Sequence, residues 1–269
     1  MQIPIEHAPG EFVEVDLDPE ILSHICSAPS FRVALTDAFT LRCRVPDVWR
    51  YTVQVKGGQI LPLVPVTKPS ILSNYPDRPA ADAAGSETIL LVLASPHKNE
   101  YAKMPNGQLV PKAPAQARDW LGAGRAINTY GHDVFRKFGL DDGEYSLVIT
   151  NPVPYQCSLS SVGPGRPGPL DRSVRDYVWR QLFSLQFVQK DFLERCKRYR
   201  PQTILNCCTT ALRTELSDFI CDNFLREGGP RISLFESEHP AMHWSSLYKQ
   251  KEGIPVYYVS LPDRIRSLR

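Results

Sequence analysis

No two of the seven cysteines are spaced as C-x-x-C. Zinc and iron–sulfur sites favour that paired spacing, so no metal site is expected. The count is odd and several cysteines sit inside apolar runs, which points to buried free thiols in a reducing compartment. No apolar run reaches the about 18 residues a membrane helix needs. The N-terminus, MQIPIEHAPGEF, carries acids and lacks the basic-then-apolar pattern of a secretory signal. A cytoplasmic protein with no membrane partner is the expectation. Excess charge of one sign is missing too: 31 basic residues stand against 29 acidic ones. That balance neither demands a nucleic-acid partner nor excludes a local basic patch. GPGRPGP, Gly163 to Pro169, lacks the G-K-[ST] of a phosphate-binding P-loop and reads as a flexible connection. There is no internal repeat and no low-complexity tract.

What remains is an ordinary globular composition, 42% hydrophobic and 22% charged over 269 residues. Such a length can bury a sizeable core. Residues 1–80 read as an irregular N-terminal extension packed on the core. Within it, EFVEVDL and WRYTVQVKGG alternate like strands, PEILSHIC suggests a helical turn or two, and 61–85 reads as a surface connection. Residues 81–269 read as the main domain, one compact unit. ETILLVLA is an unbroken apolar run of the kind that forms a buried parallel strand. A loop over 96–118 follows it, then a helix in RDWLGAGRAINTYGHDVFRKFGL. YSLVIT is a second buried strand, ending at Asn151-Pro152. The stretch SVRDYVWRQLFSLQFVQKDFLERCKR predicts one strong helix, with Val174, Val178, Leu182, Leu185, Phe192 and Cys196 along one face. Its Arg175, Arg180, Lys190, Arg195, Lys197 and Arg198, interleaved with acids, read as a solvated face. TILNCC and RISLFESE are further strands, with a helix in TTALRTELSDFICDNFLRE between them, and PVYYVSL reads as an edge strand. Strands alternating with helices predict an α/β fold: a three-layer α/β/α sandwich on a mainly parallel sheet of about four strands.

Parallel sheets bind ligands beyond the carboxyl ends of their strands. Three predicted strand ends carry titratable or amide groups beside a proline: Ser95-Pro96-His97, Asn151-Pro152 and His239-Pro240. His97, Asn99, Glu100, Asn151 and His239 would then meet around one cleft. A carboxylate can serve as general base, and an imidazole can exchange a proton or stabilise a developing oxyanion. An amide can read the edge of a heterocycle because it donates and accepts side by side. Each proline restricts the residue before it and so directs its loop. Taken singly the groups have plainer readings: His-Pro as a loop cap, Asn-Pro as a turn starter, Glu100 as a solvated carboxylate.

In order and position these motifs resemble the uracil-DNA glycosylase superfamily. LASPHKNEY stands where that family has its water-activating loop, G-Q-D-P-Y-H. LVITN stands where a strand ends in the Asn that pairs with the flipped base. SEHPAMHWSS stands where an H-P-S loop carries the His that stabilises the departing base. The likeness covers roughly residues 87–250. It implies a uracil-DNA-glycosylase-like fold and a monofunctional enzyme. Such an enzyme flips a base, hydrolyses its N-glycosidic bond and leaves an abasic site. No cofactor is implied, DNA is the partner, and the chain would act as a monomer.

Carried over by position, His239 stabilises the leaving base. Glu100, or Asn99 with help from His97, orients the water. Asn151 reads the base edge, with Ser95, Pro96, Tyr101, Tyr155 and Gln156 as further base contacts. Met242 or Trp244 would be the apolar wedge. Lys98, Arg166, His243, Trp244 and Ser245 would contact DNA. The departures are informative. Ser95 stands where uracil-specific members have an aspartate, and His97 where they have the tyrosine that excludes pyrimidines substituted at carbon 5. The altered loop favours a larger base and resembles a phage-defence member that removes glucosylated hydroxymethylcytosine. The alternatives are a uracil-repair glycosylase, a nucleoside or nucleotide N-glycoside hydrolase, and a non-catalytic DNA-binding protein.

Overall fold

The computed structural model describes residues 2–8, 11–16, 18, 44–72, 87–96, 100–103, 105, 109–111, 122–157, 169–224, 232–249 and 253–259. Two compact units divide the chain. One comprises Met1–Pro46, Ser95–Pro114 and Asn151–Phe192, and the other Asp47–Ala94, Ala115–Thr150 and Leu193–Arg269. The PEILSHIC reading lies outside the described residues.

The second unit holds an eight-stranded sheet. Its first strands are β3 (Asp47–Lys56), β4 (Gln59–Ile60) and β5 (Val64–Leu72). The next are β6 (Glu87–Val92), β9 (Gly143–Thr150), β10 (Pro201–Asn206), β11 (Ser233–Ser237) and β12 (Val256–Tyr258). The order across the sheet is β12-β11-β10-β6-β9-β3-β4, with β5 also pairing β3. The strands β11, β10, β6 and β9 are mutually parallel neighbours. The remaining pairs are antiparallel: β11 with β12, and β3 with β4, β5 and β9.

The expected mainly parallel sheet of about four strands, in a uracil-DNA-glycosylase-like three-layer sandwich, is therefore corrected. The sheet is mixed and its four antiparallel pairs outnumber its three parallel ones. The cause lies in β3, which joins the sheet beside β9 and brings β4 and β5 with it. Residues 64–72, expected as a surface connection, form the strand β5. Its Pro65 and Pro69 cannot donate to a ladder, but an outer strand tolerates that loss.

Both faces of the sheet are covered. Helix α1 (Gly122–Phe135) lays Ala123, Ala126, Ile127, Val134 and Phe135 on a core with Ile89, Leu91, Tyr145, Leu147, Ile149 and Leu205. Leu90, Val92 and Val148, which alternate with these along their strands, are fully buried as well. On that opposite face stand Arg195 and Tyr199 of α3 (Gln186–Tyr199) and the first turn of α4 (Thr210–Phe224). A strand buried on both sides needs an unbroken apolar run, which is what ETILLV is.

Among the described residues the first unit contains two antiparallel ribbons, one whole helix and the start of α3 as far as Phe192. The ribbons are β1 (Gln2–Ala8) with β2 (Glu11–Asp16), and β7 (Tyr101–Lys103) with β8 (Leu109–Pro111). The latter ribbon corrects the expectation of a structureless loop over 96–118. The helix is α2 (Pro169–Phe183). The single helix expected over 173–198 is instead α2 and α3 with a break between them. At the break the Ser184 hydroxyl donates to the Gln181 carbonyl at 2.8 Å, and the Leu185 N–H donates to the Leu182 carbonyl at 3.2 Å instead of continuing the ladder.

Candidate functional site

Strand register sets the geometry of the rim. Thr150 pairs with Val92, Val92 with Asn206, and Asn206 with Glu236. The four parallel strands thus end level, in one row across the sheet. The chain reverses its winding direction between β6 and β10, the position at which open sheets take ligands. Each of the three sequence motifs leaves from this row. Asn151 is the next residue after Thr150, Ser95 is the third after Val92, and His239 is the third after Glu236.

In the second unit, His239 is extended (φ −63°, ψ 125°) and leads into a π turn, Pro240–Trp244. Its carbonyl accepts the His243 N–H at 3.1 Å. Trp244 is fully buried, and its indole N–H donates to the Glu238 carbonyl at 2.7 Å. It packs with the core under α1 rather than presenting itself to solvent. His243 and Ser245 are exposed. Met242 lies in the π turn, and its side chain is outside the described residues. The short helix α5 (Ser245–Lys249) follows.

Two polar networks hold this rim, and neither was foreseen from the sequence. In one, Arg213 of α4 forks onto Glu238, with Nη1 to Oε1 at 3.1 Å and Nη2 to Oε2 at 2.9 Å. These bonds hold the Glu238 carboxyl below the usual carboxylate range; partial burial opposes them, and the fields of Arg213, His243 and His239 add to them. In the other, Asp47 accepts from Arg195 Nη1 at 2.9 and 3.0 Å, from Thr150 Oγ1 at 2.7 Å and from the Tyr199 hydroxyl at 2.6 Å. Burial, and then the Asp47 charge, push the Tyr199 phenol well up. Arg195 had been grouped with a solvated face; with its side chain 3% exposed it belongs to the interior.

The first unit carries the other motif residues. Glu100 is fully buried, Asn151, Tyr155 and Gln156 are buried, and Pro96 is buried beside a half-buried Ser95. The plain reading of Glu100 as a solvated carboxylate is thereby excluded. The Ser95 side chain, in the first motif loop, pulls the Cys157 thiol of the second downward. Burial pushes that thiol up to about 12. Cys157 Sγ also lies 3.4 Å from the Tyr155 carbonyl. Tyr101 is in β7, with its side chain outside the described residues. His97, Lys98, Asn99 and Arg166 fall outside them altogether.

Among the described residues the first unit thus carries a buried carboxyl group and a buried amide, and the second unit a histidine with a fixed backbone. Among the described residues no group of three His, Cys, Asp or Glu could hold a metal ion. No described helix is long and apolar enough to cross a membrane. Comparison with known proteins yields no match, whether to a family model, a curated protein or a solved structure.

Proposed function

We propose that this chain is a monofunctional DNA glycosylase acting on a pyrimidine enlarged at carbon 5, such as the glucosylated hydroxymethylcytosine of phage DNA. What carries this reading is the register row Thr150–Val92–Asn206–Glu236, from which all three motif segments depart. The motif loops support it, not the overall architecture. The burial of Glu100 adds weight, since a carboxylate is seldom withdrawn from water without a specific task or partner.

In this mechanism the target nucleotide is extruded from the stack. Asn151 hydrogen-bonds the edge of the extruded base. As the glycosidic bond lengthens, negative charge gathers on the base, and His239 stabilises it. Glu100 orients a water toward the anomeric carbon of the sugar cation and takes its proton. Oxygen bonds to the sugar, the base departs with the electron pair, and an abasic site remains. No cofactor enters this balance, and one copy of the chain suffices for it.

The test uses three DNAs: uracil-containing, unmodified, and phage DNA bearing glucosylated hydroxymethylcytosine. Alkali-labile abasic sites in the phage DNA alone, lost in His239→Ala, are the expected result. Sites in the uracil DNA would move the substrate to repair. No sites in any of the three would overturn this assignment and leave a free-nucleoside hydrolase or a silent DNA binder.

A further inference from the structure

We infer that Arg213 and Glu238 are positioning residues for His239, joined as a clamp that fixes where the histidine stands at the rim. The role given to His239 rests on the glycosylase reading above; the clamp itself rests on the following contacts.

Start with the chain on either side of the histidine. Pro240 follows it, so its backbone is confined to extended geometry. Glu238 precedes it and is held twice. Its carboxylate takes both arms of the Arg213 guanidinium at 3.1 and 2.9 Å. Its carbonyl takes the indole N–H of the fully buried Trp244 at 2.7 Å. The His239 carbonyl then accepts the His243 N–H at 3.1 Å, closing the turn on itself.

Arg213 is itself anchored. Its Nε lies 3.3 Å from the Cys208 carbonyl, and its own carbonyl accepts Asn206 Nδ2 at 2.9 Å. The same Asn206 amide donates to Ser217 at 2.8 Å and accepts the Cys208 N–H at 3.0 Å. Asn206 belongs to the register row. One continuous set of hydrogen bonds therefore runs from the middle of the rim, through the first turn of α4, to the residue before His239.

A fork of two parallel N–H···O bonds fixes an angle as well as a distance, which a lysine could not do. Arg213 is 7% exposed while Glu238 remains partly open, so the geometry is imposed from the buried side. An ion pair serving stability alone could stand at any point of the fold. This one occupies the residue next to the motif histidine. It also faces two imidazoles, with His243 Nε2 3.9 Å from Glu238 Oε2. The charged and titratable groups around it are Cys207 just after β10, Arg213 on α4, Glu236 on β11, His239 just before the π turn and His243 within it. Arg213 offsets the Glu238 charge, which leaves the pair acting through geometry first and field second.

The test compares the wild type with Glu238→Gln, which keeps the shape and loses the charge, and Arg213→Lys, which keeps the charge and loses the fork. Histidine-labelled protein gives the ring resonances of His239, assigned by their loss in His239→Gln. In both variants the His239 resonances are expected to shift, and in Glu238→Gln its titration moves to lower pH because a neighbouring negative charge is gone. On phage DNA, kcat for base release is expected to fall about 10- to 100-fold, the scale of a misplaced catalytic group, with KM changing far less. Unchanged His239 resonances and titration in both folded variants would overturn the clamp, whatever happened to activity. If the wild type released no base but the resonances moved as expected, the clamp would stand and the glycosylase reading would fall.

Discussion

Asp47 and Arg195, distant in sequence, meet as a buried ion pair at 2.9 Å, each side chain 3% exposed. Thr150 and Tyr199 complete the shell around the carboxylate. The pair fastens the start of β3 to the end of β9 and to α3, directly behind the residue that leads into Asn151. Charges withdrawn from water this far are costly to separate, because the survivor is left without its partner.

Asp47→Ala is therefore expected to destabilise the second unit by roughly 3–5 kcal/mol, the range for breaking a buried pair. Asp47→Leu combined with Arg195→Met should recover much of that loss, since no lone charge remains. Urea denaturation of the two variants checks this. A double variant as unstable as the single one would show that the hydrogen-bond shell, not the ion pair, carries the stability.

These partners mark the boundary of what the sequence reveals. The run Ile89 to Leu93 announces a doubly covered strand, and the alternation in WRYTVQVK announces β3, because each pattern is local. The antiparallel docking of β3 beside β9 is not local, and nothing in Val48 or Thr52 names its neighbour. That is why a sheet of eight strands reads as one of about four. Pro65 and Pro69 disguise β5 for a physical reason, being tolerated only where ladder bonds are dispensable. The strand ends before Asn151 and His239 are legible because a proline follows each of these residues. Arg213 is not, since a cation in a helix normally signals solvent, and its partner Glu238 lies across a strand crossover. Trp244 reads equally well as a wedge or a core residue until its burial is known.

Gly131 lies inside α1, where alanine would ordinarily add about 1 kcal/mol of helix stability. Here an added Cβ would meet Leu63 Cδ1 at 2.8 Å and Phe135 Cε2 at 3.2 Å. Gly131→Ala is expected to destabilise the protein by about 1–3 kcal/mol through overpacking. In a Leu63→Ala background, where the nearest atom is gone, the same change should become neutral or stabilising. Thermal melts of the four proteins of this cycle check the reversal of sign.

Asp142, just before β9, caps the β3–β4 turn, accepting the Gly57 N–H at 2.7 Å and the Gly58 N–H at 2.9 Å. The Gly58 bond, then the Gly57 bond, hold its carboxyl below the value of 3.8. A carboxylate whose folded pKa is depressed contributes stability fully above its unfolded pKa, and loses it as pH falls through the folded one. The cap should thus be intact at neutral pH and released in the acid range below the ordinary Asp value. Amide shifts of Gly57 and Gly58 followed down in pH are expected to move together with that low midpoint. In Asp142→Ala the shared transition should vanish.

The cysteines give the last prediction. Cys157, Cys196, Cys207, Cys208 and Cys221 are buried and form no disulfide. Only the thiolate attacks a disulfide or alkylating reagent. With its thiol pushed up to about 12, Cys157 holds far less thiolate at pH 8 than an ordinary cysteine. The ratio is on the order of a thousandfold, before any steric protection. Burial likewise pushes the Cys207 thiol well up, with the Arg213 charge only partly opposing it. Mass spectrometry after alkylation of the native protein should find these five positions unmodified, and all of them labelled after denaturation. Ser95→Ala removes the side chain that pulls the Cys157 thiol downward, so labelling there should not rise while the loop stays closed. Rapid native labelling of Cys157 in that variant would mean that Ser95 holds the two motif loops together, making its side chain a latch rather than a passive neighbour.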